Sequence, residues 1–255
     1  MEQIIENFST ILDDAAKVAN PVIQISNTSK ITLNQAYEIQ ALSIQRRLAR
    51  GENLTGLKMG FTSKAKMEQM GVHDMIWGRL TNNMHFENEG DIPMNKFIHP
   101  RAEPEIAFLL KKDITSNITI NEVESYIDGL APAIEIIDSR YKNFKFSLED
   151  VIADNCSSSG YVLGKWYSPD TDVSNIEITI GTNGEVKAIG NSKAILDNPF
   201  QSLVEAVRLA LKYGQELKKG MVILAGAATS AIPVNDGDTV QATFGNLGSL
   251  SFQAK

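Results

Sequence analysis

The sequence holds one cysteine, three histidines and two tryptophans among 255 residues, and each scarcity closes off a class of chemistry. Cys156 stands alone, so no intramolecular disulfide and no cysteine metal site can form. It reads as a small, half-buried hydrophobe in a reducing cytoplasm. His73, His85 and His99 show no i, i+4 pairing, which removes the helical zinc-hydrolase arrangement. No apolar run approaches the roughly 20 residues of a membrane span. The start, Met1-Glu2-Gln3, carries acid where a signal peptide carries base. Basic clusters are short (Lys111-Lys112, Lys218-Lys219), and the formal charge is -7. Nucleic acid and anionic membrane are therefore not expected as partners. There is no G-x-G-x-x-G and no P-loop to hold a nucleotide. Ser157-Ser158-Ser159 lacks the G-x-S-x-G elbow of a serine hydrolase.

What is present is an ordinary globular composition, 43% hydrophobic and 22% charged. Helical spacing is expected over residues 1–20, with Ile5, Phe8, Leu12, Ala15 and Ala19 on one stripe. A second helix starts after Thr32-Leu33-Asn34-Gln35, which fits a capping box, and stops at Gly51. Strands are expected near residues 57–61, 83–86, 103–111, 132–138, 176–180, 185–189, 221–225, 239–244 and 249–252. Short helices are expected over 64–70 and 121–129, and another after Ser147. Residues 74–80 and Ser157-Ser158-Ser159-Gly160 read as loops. Asn183-Gly184 is a hairpin signal, and Asn198-Pro199 opens the longest late helix. Helices come first and a long mixed sheet follows, which favours an α+β fold. The expected division is a mainly helical region, 1–75, and a β-rich domain, 76–255, to which the Lys58 strand contributes.

Three features could carry chemistry. In the strand that includes Glu103-Pro104-Glu105, side chains alternate between faces, so Glu103 and Glu105 point the same way. A strand with one wet face would look the same. Glu135 lies within Pro132-Ala133-Ile134-Glu135-Ile136-Ile137-Asp138, a run that should be buried. A carboxylate there must be neutral, paired or metal-bound, and a salt bridge to Arg140 or Arg101 would also satisfy it. Three carboxylates on neighbouring strands would form a hard oxygen site suited to Mg²⁺ or Mn²⁺ rather than Zn²⁺. Lys58, flanked by apolar residues, poses the same problem with opposite sign: it is either paired or functional.

Lys58-Met59-Gly60-Phe61-Thr62-Ser63, Ile76-Trp77-Gly78-Arg79-Leu80-Thr81 and His99-Pro100-Arg101-Ala102-Glu103-Pro104-Glu105 closely resemble the hydratase/decarboxylase branch of the fumarylacetoacetate hydrolase superfamily. So do Glu135-Ile136-Ile137-Asp138-Ser139-Arg140 and Ala153-Asp154-Asn155-Cys156-Ser157-Ser158. The likeness covers nearly the whole chain and is weakest over the first 20 residues. It implies a mixed β-sheet roll or barrel with an N-terminal helical layer. It also implies Glu103, Glu105 and Glu135 as ligands of Mg²⁺ (Mn²⁺ possible) and Lys58 as the catalytic residue. Trp77-Gly78-Arg79-Leu80-Thr81 and the segment 138–146 lean towards the members that decarboxylate 2-oxohex-3-enedioate to 2-hydroxypenta-2,4-dienoate. For the second carboxylate of such a 2-oxo dicarboxylate, Arg79 is the first candidate and Arg101 the second. Thr229 aligns loosely with a substrate-side threonine. A homo-oligomer, and a complex with the paired vinylpyruvate hydratase, are further implications. The alternatives are hydration of 2-oxopent-4-enoate, hydrolysis of an acylpyruvate, and a non-catalytic subunit that binds a partner.

Overall fold

Apolar residues recur at helical spacing near the N-terminus, and there the chain forms α1 (Glu2–Val18), burying Ile5, Leu12 and Ala15. The computed structural model describes residues 2–63, 67–68, 72 and 74–255. Helix α2 (Leu33–Ala49) begins at the expected capping box: Thr32 accepts the Gln35 N–H, and the Gln35 side chain accepts the Thr32 N–H. Buried Asp13 accepts two hydrogen bonds from Arg50, at 2.6 and 2.7 Å, and one from Arg46. This clamps α1 to α2 as one helical layer.

Thirteen strands follow among the described residues: β1 (Leu54–Gly60), β2 (Ile76–Thr81), β3 (His85–Phe86), β4 (Asp91–Ile92), β5 (Arg101–Leu110), β6 (Ile127–Ile137), β7 (Ser158–Leu163), β8 (Glu177–Thr182), β9 (Glu185–Asn191), β10 (Val222–Ala227), β11 (Ile232–Pro233), β12 (Thr239–Phe244) and β13 (Ser249–Ala254). Among the elements whose bounds are described, helices α3 (Val123–Tyr126), α4 (Leu148–Ala153) and α5 (Pro199–Lys212) lie between them. Asn198 caps α5 by accepting the Phe200 N–H. The larger sheet runs β2-β1-β10-β5-β6-β7-β3, with β11 added to β5; the smaller runs β4-β13-β12-β8-β9. Both are mixed, because β1 with β10, β3 with β7 and β4 with β13 pair in parallel. The fold is α+β, as expected.

Three expectations change. Residues 74–80 contain strand β2, whose six residues are all buried, so no alternation shows in its sequence. Only Val123–Tyr126 of the segment 121–129 is helical, and β6 has begun by Ile127. The serine-rich segment opens β7 rather than forming a loop, and a side chain at Gly160 would collide with the Phe86 ring. The helix expected over 64–70 falls largely outside the described residues, as does His73.

The larger sheet is rolled. In a flat sheet β1 and β6, three ladders apart, would be separated by about 14 Å, yet Lys58 of β1 reaches Glu135 of β6. The hydroxyls of Thr55 and Tyr161 likewise meet at 3.2 Å across the mouth of the roll. Ala107, Ala131, Ala133, Val222 and Leu224 pack inside it. The three alanines leave room for long polar side chains on the same face.

Candidate metal and substrate site

Strand β5 delivers Glu103 and Glu105 to the inside of the roll by simple alternation. The antiparallel register of β6 then sets Glu135 directly opposite Glu103. Each of the three residues has a carboxylate oxygen within 4.8 Å of those of the other two. Glu105 and Glu135 are fully buried; Glu103 is partly open. The expectation that these acids converge from separated segments describes what the chain does.

Lys58 enters the cluster from β1. Its Nζ lies 2.9 Å from Glu135 Oε2 and donates to the Cys156 carbonyl at 3.2 Å. The partner of Glu135 is thus Lys58, and neither Arg140 nor Arg101. Arg140 is committed to Asp154, with further bonds to the Ser158 carbonyl and the Ser159 hydroxyl. Burial alone would lower the pKa of Lys58, but Glu135, Glu105 and Glu103 together raise it, so the ammonium is held charged. Burial raises Glu105 well above the usual carboxylate range, with Glu135 adding to the rise and Lys58 opposing it. Glu135 is also raised, by burial first and against the pull of Lys58.

The donor set fits a divalent cation. Oε1 of Glu105 and Oε1 of Glu135 are buried without a hydrogen-bond partner among the described residues, a costly state for a carboxylate oxygen. Three carboxylates against one ammonium leave two negative charges, which one divalent ion would cancel. All-oxygen donors suit magnesium, manganese or calcium.

Two supports for this cluster are backbone groups. The Gly226 N–H donates to Glu105 Oε2 at 2.7 Å. Gly226 has φ +104, at a bulge where β10 loses register with β5, and a methyl there would run into the Thr62 hydroxyl. The Cys156 carbonyl that holds Lys58 sits in a left-handed run, Asn155, Cys156 and Ser157, with φ of 50, 52 and 60°. Three such non-glycine residues cost roughly 1–2 kcal/mol each. The Asn155 side chain steadies the run by bonding both the N–H and the carbonyl of Arg79. Glycine in Ala225-Gly226-Ala227 was the available signal for the first support. Nothing in the sequence marks the second.

A cavity of about 110 Å³ opens onto the cluster, lined by Lys58, Glu103, Phe61, Thr62, Phe144 and Phe146 among others. Arg101 lies on the same face of β5 as Glu103, two residues nearer the strand's end. It is exposed, and its guanidinium sits 4.7 Å from the centre of the Phe144 ring. Arg79 is placed differently. It pairs with Leu57, the neighbour of Lys58, and so points to the other face of the sheet. There it donates to Gln40 at 2.6 Å and Gln215 at 2.9 Å and stacks over Trp77. Burial lowers its pKa to about 10. The structure brings together Lys58, Glu103, Glu105 and Glu135, sets Arg101 against Phe144 of the cavity wall, and keeps Arg79 apart. Thr229 is two residues beyond Ala227, which lines the cavity, and its hydroxyl donates to the Ser230 carbonyl.

Comparison with known proteins gives a consistent picture. Residues 57–254 match the fumarylacetoacetate (FAA) hydrolase C-terminal family. A 4-oxalocrotonate decarboxylase from Pseudomonas sp. is 50% identical over 241 residues, covering 94% of each chain. The 4-oxalocrotonate decarboxylase from Pseudomonas putida G7, complexed with magnesium and adipate, superimposes with a TM-score of 0.96 at 32% identity. That match covers 100% of this chain and 98% of the other. A structure of the same enzyme complexed with calcium and acetate gives 0.94 at 30%, with the same coverage. A 2-oxo-hept-4-ene-1,7-dioate hydratase from Escherichia coli is 32% identical, covering 94% of each chain.

Proposed function

The chain belongs to the fumarylacetoacetate hydrolase family, and from that premise we propose that it is a carboxy-lyase removing CO₂ from 2-oxohex-3-enedioate. The product is 2-hydroxypenta-2,4-dienoate, and the reaction serves the catabolism of aromatic ring-cleavage products. The observation that carries the mechanism is a charged lysine held against three converging carboxylates in a small aromatic-walled cavity. The half-identical decarboxylase relative favours this reaction over hydration.

In the substrate the departing carboxylate is joined through a C=C bond to the C2 ketone. As the bond to CO₂ breaks, its electron pair runs along the conjugated chain and settles on the C2 oxygen, and this enolate takes a proton from water to become the 2-hydroxydienoate. Glu103, Glu105 and Glu135 would hold a divalent cation that, when bound, supplies a Lewis acid at that oxygen. Magnesium is the ion proposed, with manganese able to replace it. Lys58 stays an ammonium and donates a hydrogen bond where the negative charge accumulates. Its orientation is fixed by Glu135 and the Cys156 carbonyl. Phe61, Phe144 and Phe146 limit water around the developing charge, which strengthens that hydrogen bond.

Arg101, stacked on the Phe144 ring that walls the cavity, is proposed to bind the substrate's far carboxylate. The adipate bound by the superimposed decarboxylase is a diacid of the same six-carbon length. Arg79 acts at a distance: it fixes Gln40, which bonds the Trp77 and Ile152 carbonyls beside the Cys156 turn. Thr229 is assigned to the substrate side by its nearness to Ala227, which lines the cavity. Self-association is supported by Ile4, Ile11 and Val18, exposed and seven residues apart on α1, and association with a vinylpyruvate hydratase belongs to the same proposal. No helix of the described residues is long and apolar enough to cross a membrane, and the lone buried Cys156 supports a reducing cytoplasm.

The test is CO₂ release from 2-oxohex-3-enedioate with and without a chelator, beside hydration of 2-oxopent-4-enoate. Chelator-sensitive CO₂ release is expected. Hydration without CO₂ release would instead make the chain a hydratase. Failure to bind Mg²⁺ or Mn²⁺ at millimolar concentration would leave only a non-catalytic subunit.

A further inference from the structure

A second cavity, about 290 Å³ and larger than the first, lies between the helical layer and the edge of the rolled sheet. None of Lys58, Glu103, Glu105 and Glu135 lines it. Its walls carry Lys17 of α1, Arg47 and Arg50 of α2, Lys96 and Arg140, against the carboxylates of Glu52 and Asp138. Such a concentration of cations is out of keeping with a chain of net charge -7.

The partners of these groups decide which charges are free to act. Arg50 is taken by Asp13 and Arg140 by Asp154. Asp138 commits one oxygen each to the N–H groups of Ile98 and His99, at 2.7 and 2.8 Å. Glu52 accepts a hydrogen bond from Thr81 and forms a long ion pair with Arg47 at 3.8 Å, which balances charge but satisfies none of the guanidinium N–H groups. Among the described residues no ion pair engages Lys17 or Lys96, and no hydrogen bond engages the Arg47 guanidinium. The Arg47 side chain is only 17% exposed. A guanidinium so enclosed normally finds acceptors for its N–H groups; Arg47 lines two cavities, and the other, about 10 Å³, holds at most one water, so this one is where a larger acceptor can sit. Two unpaired ammonium groups frame the same space.

We propose that this cavity is a non-catalytic binding site for a small oxyanion of at least two negative charges, gripped by Arg47 and closed over by Lys17 and Lys96. Inorganic phosphate and a short dicarboxylate share that chemistry. Arg47 offers a planar fork to a pair of oxygens, while the lysines act as point charges at the rim. The site stands whether or not the acidic cluster holds a metal.

Isothermal titration of the full-length, chelator-treated protein tests it, so that no bound cation draws the anion elsewhere. Inorganic phosphate and succinate are titrated separately into wild type, Arg47→Gln and Lys96→Ala. One saturable site is expected, weakened about tenfold or more by Arg47→Gln and a few-fold by Lys96→Ala. Saturation by phosphate alone, or by succinate alone, identifies which source of the anion the cavity accepts. No saturation of wild type by either up to roughly 10 mM, or equal binding by both variants and wild type, would overturn the proposal. Should Arg47→Gln fail to fold, Lys96→Ala decides alone, because the Lys96 side chain is exposed.

Discussion

Glu103 and Glu135 are direct partners across the β5–β6 ladder, a position in which like charges destabilise a sheet. Glu105 adds a third carboxylate within 4.8 Å, and Lys58 is the cation that answers them. A cluster so unbalanced makes the metal-free fold sensitive to pH.

Burial raises both Glu105 and Glu135, each also pushed up by a neighbouring carboxylate. A carboxyl raised in the fold binds more protons folded than unfolded. Its stabilisation is complete below its ordinary value, about pH 4.3, and is lost as pH rises through the folded value. Lys58 is raised as well, so its contribution is intact below about pH 10 and is level across the same window. The metal-free protein should therefore lose thermal stability between pH 5.5 and 8.5, and Mg²⁺ should restore more of it at the higher pH. Melting temperatures with and without Mg²⁺ at both values check this. A metal-induced shift equal at pH 5.5 and 8.5 would mean that these acids do not take up protons in the fold.

Glu135→Gln keeps the shape of the side chain and removes one charge from the cluster. Lys58 retains Glu105 and Glu103 as neighbours, so the variant should fold, with an unchanged far-ultraviolet spectrum. Its turnover should fall by about 10³-fold and its Mg²⁺ affinity should weaken in parallel. Wild-type turnover in this variant would remove Glu135 from the mechanism.

The parts of this site visible in the sequence are those that local rules govern. Alternation along Glu103-Pro104-Glu105 gives a shared face, and an apolar run around Glu135 demands compensation for the charge. Cross-strand register is non-local, so the pairing of Glu135 with Lys58 rather than with an arginine could not be read from spacing. Arg79 shows the same limit in reverse. One residue of offset in the β1–β2 register puts it behind the sheet, although it sits in the motif most suggestive of substrate. Strand β2 itself was hidden because both its faces are buried, and β7 because serines mask a buried strand. Backbone donors and acceptors, such as the Gly226 N–H and the Cys156 carbonyl, carry no side-chain signal at all.

Gly226→Ala tests the first of those backbone groups. At φ +104 an alanine is strained, and its methyl meets Thr62. Relief of that collision would move the N–H away from Glu105 Oε2. Loss of an outer-shell hydrogen bond to a ligand lowers metal affinity by about 10- to 100-fold, and that range is expected for Mg²⁺ here. Calorimetric titration measures it directly, and an unchanged affinity would show that Glu105 is oriented without Gly226.

The two arginines separate by kinetics. Arg101 lies on the cluster's face of β5, over the Phe144 ring that walls the cavity. Its truncation should raise KM for the diacid by about tenfold or more, in keeping with the loss of a charge-assisted hydrogen bond. It should leave the melting temperature nearly unchanged, because the side chain is exposed. Arg79 is buried and holds Gln40 and Gln215 behind the sheet. Arg79→Ala would leave both amides short of a donor and empty the space over Trp77. That should lower the melting temperature by several degrees, an effect of about 1–3 kcal/mol. Any fall in kcat should then be larger than the change in KM, because Lys58 rather than the substrate's second carboxylate is disturbed. A raised KM in Arg79→Ala at unaltered stability, with Arg101→Ala silent, would return the recognition of the far carboxylate to Arg79 and require the β2 strand to turn over when substrate binds.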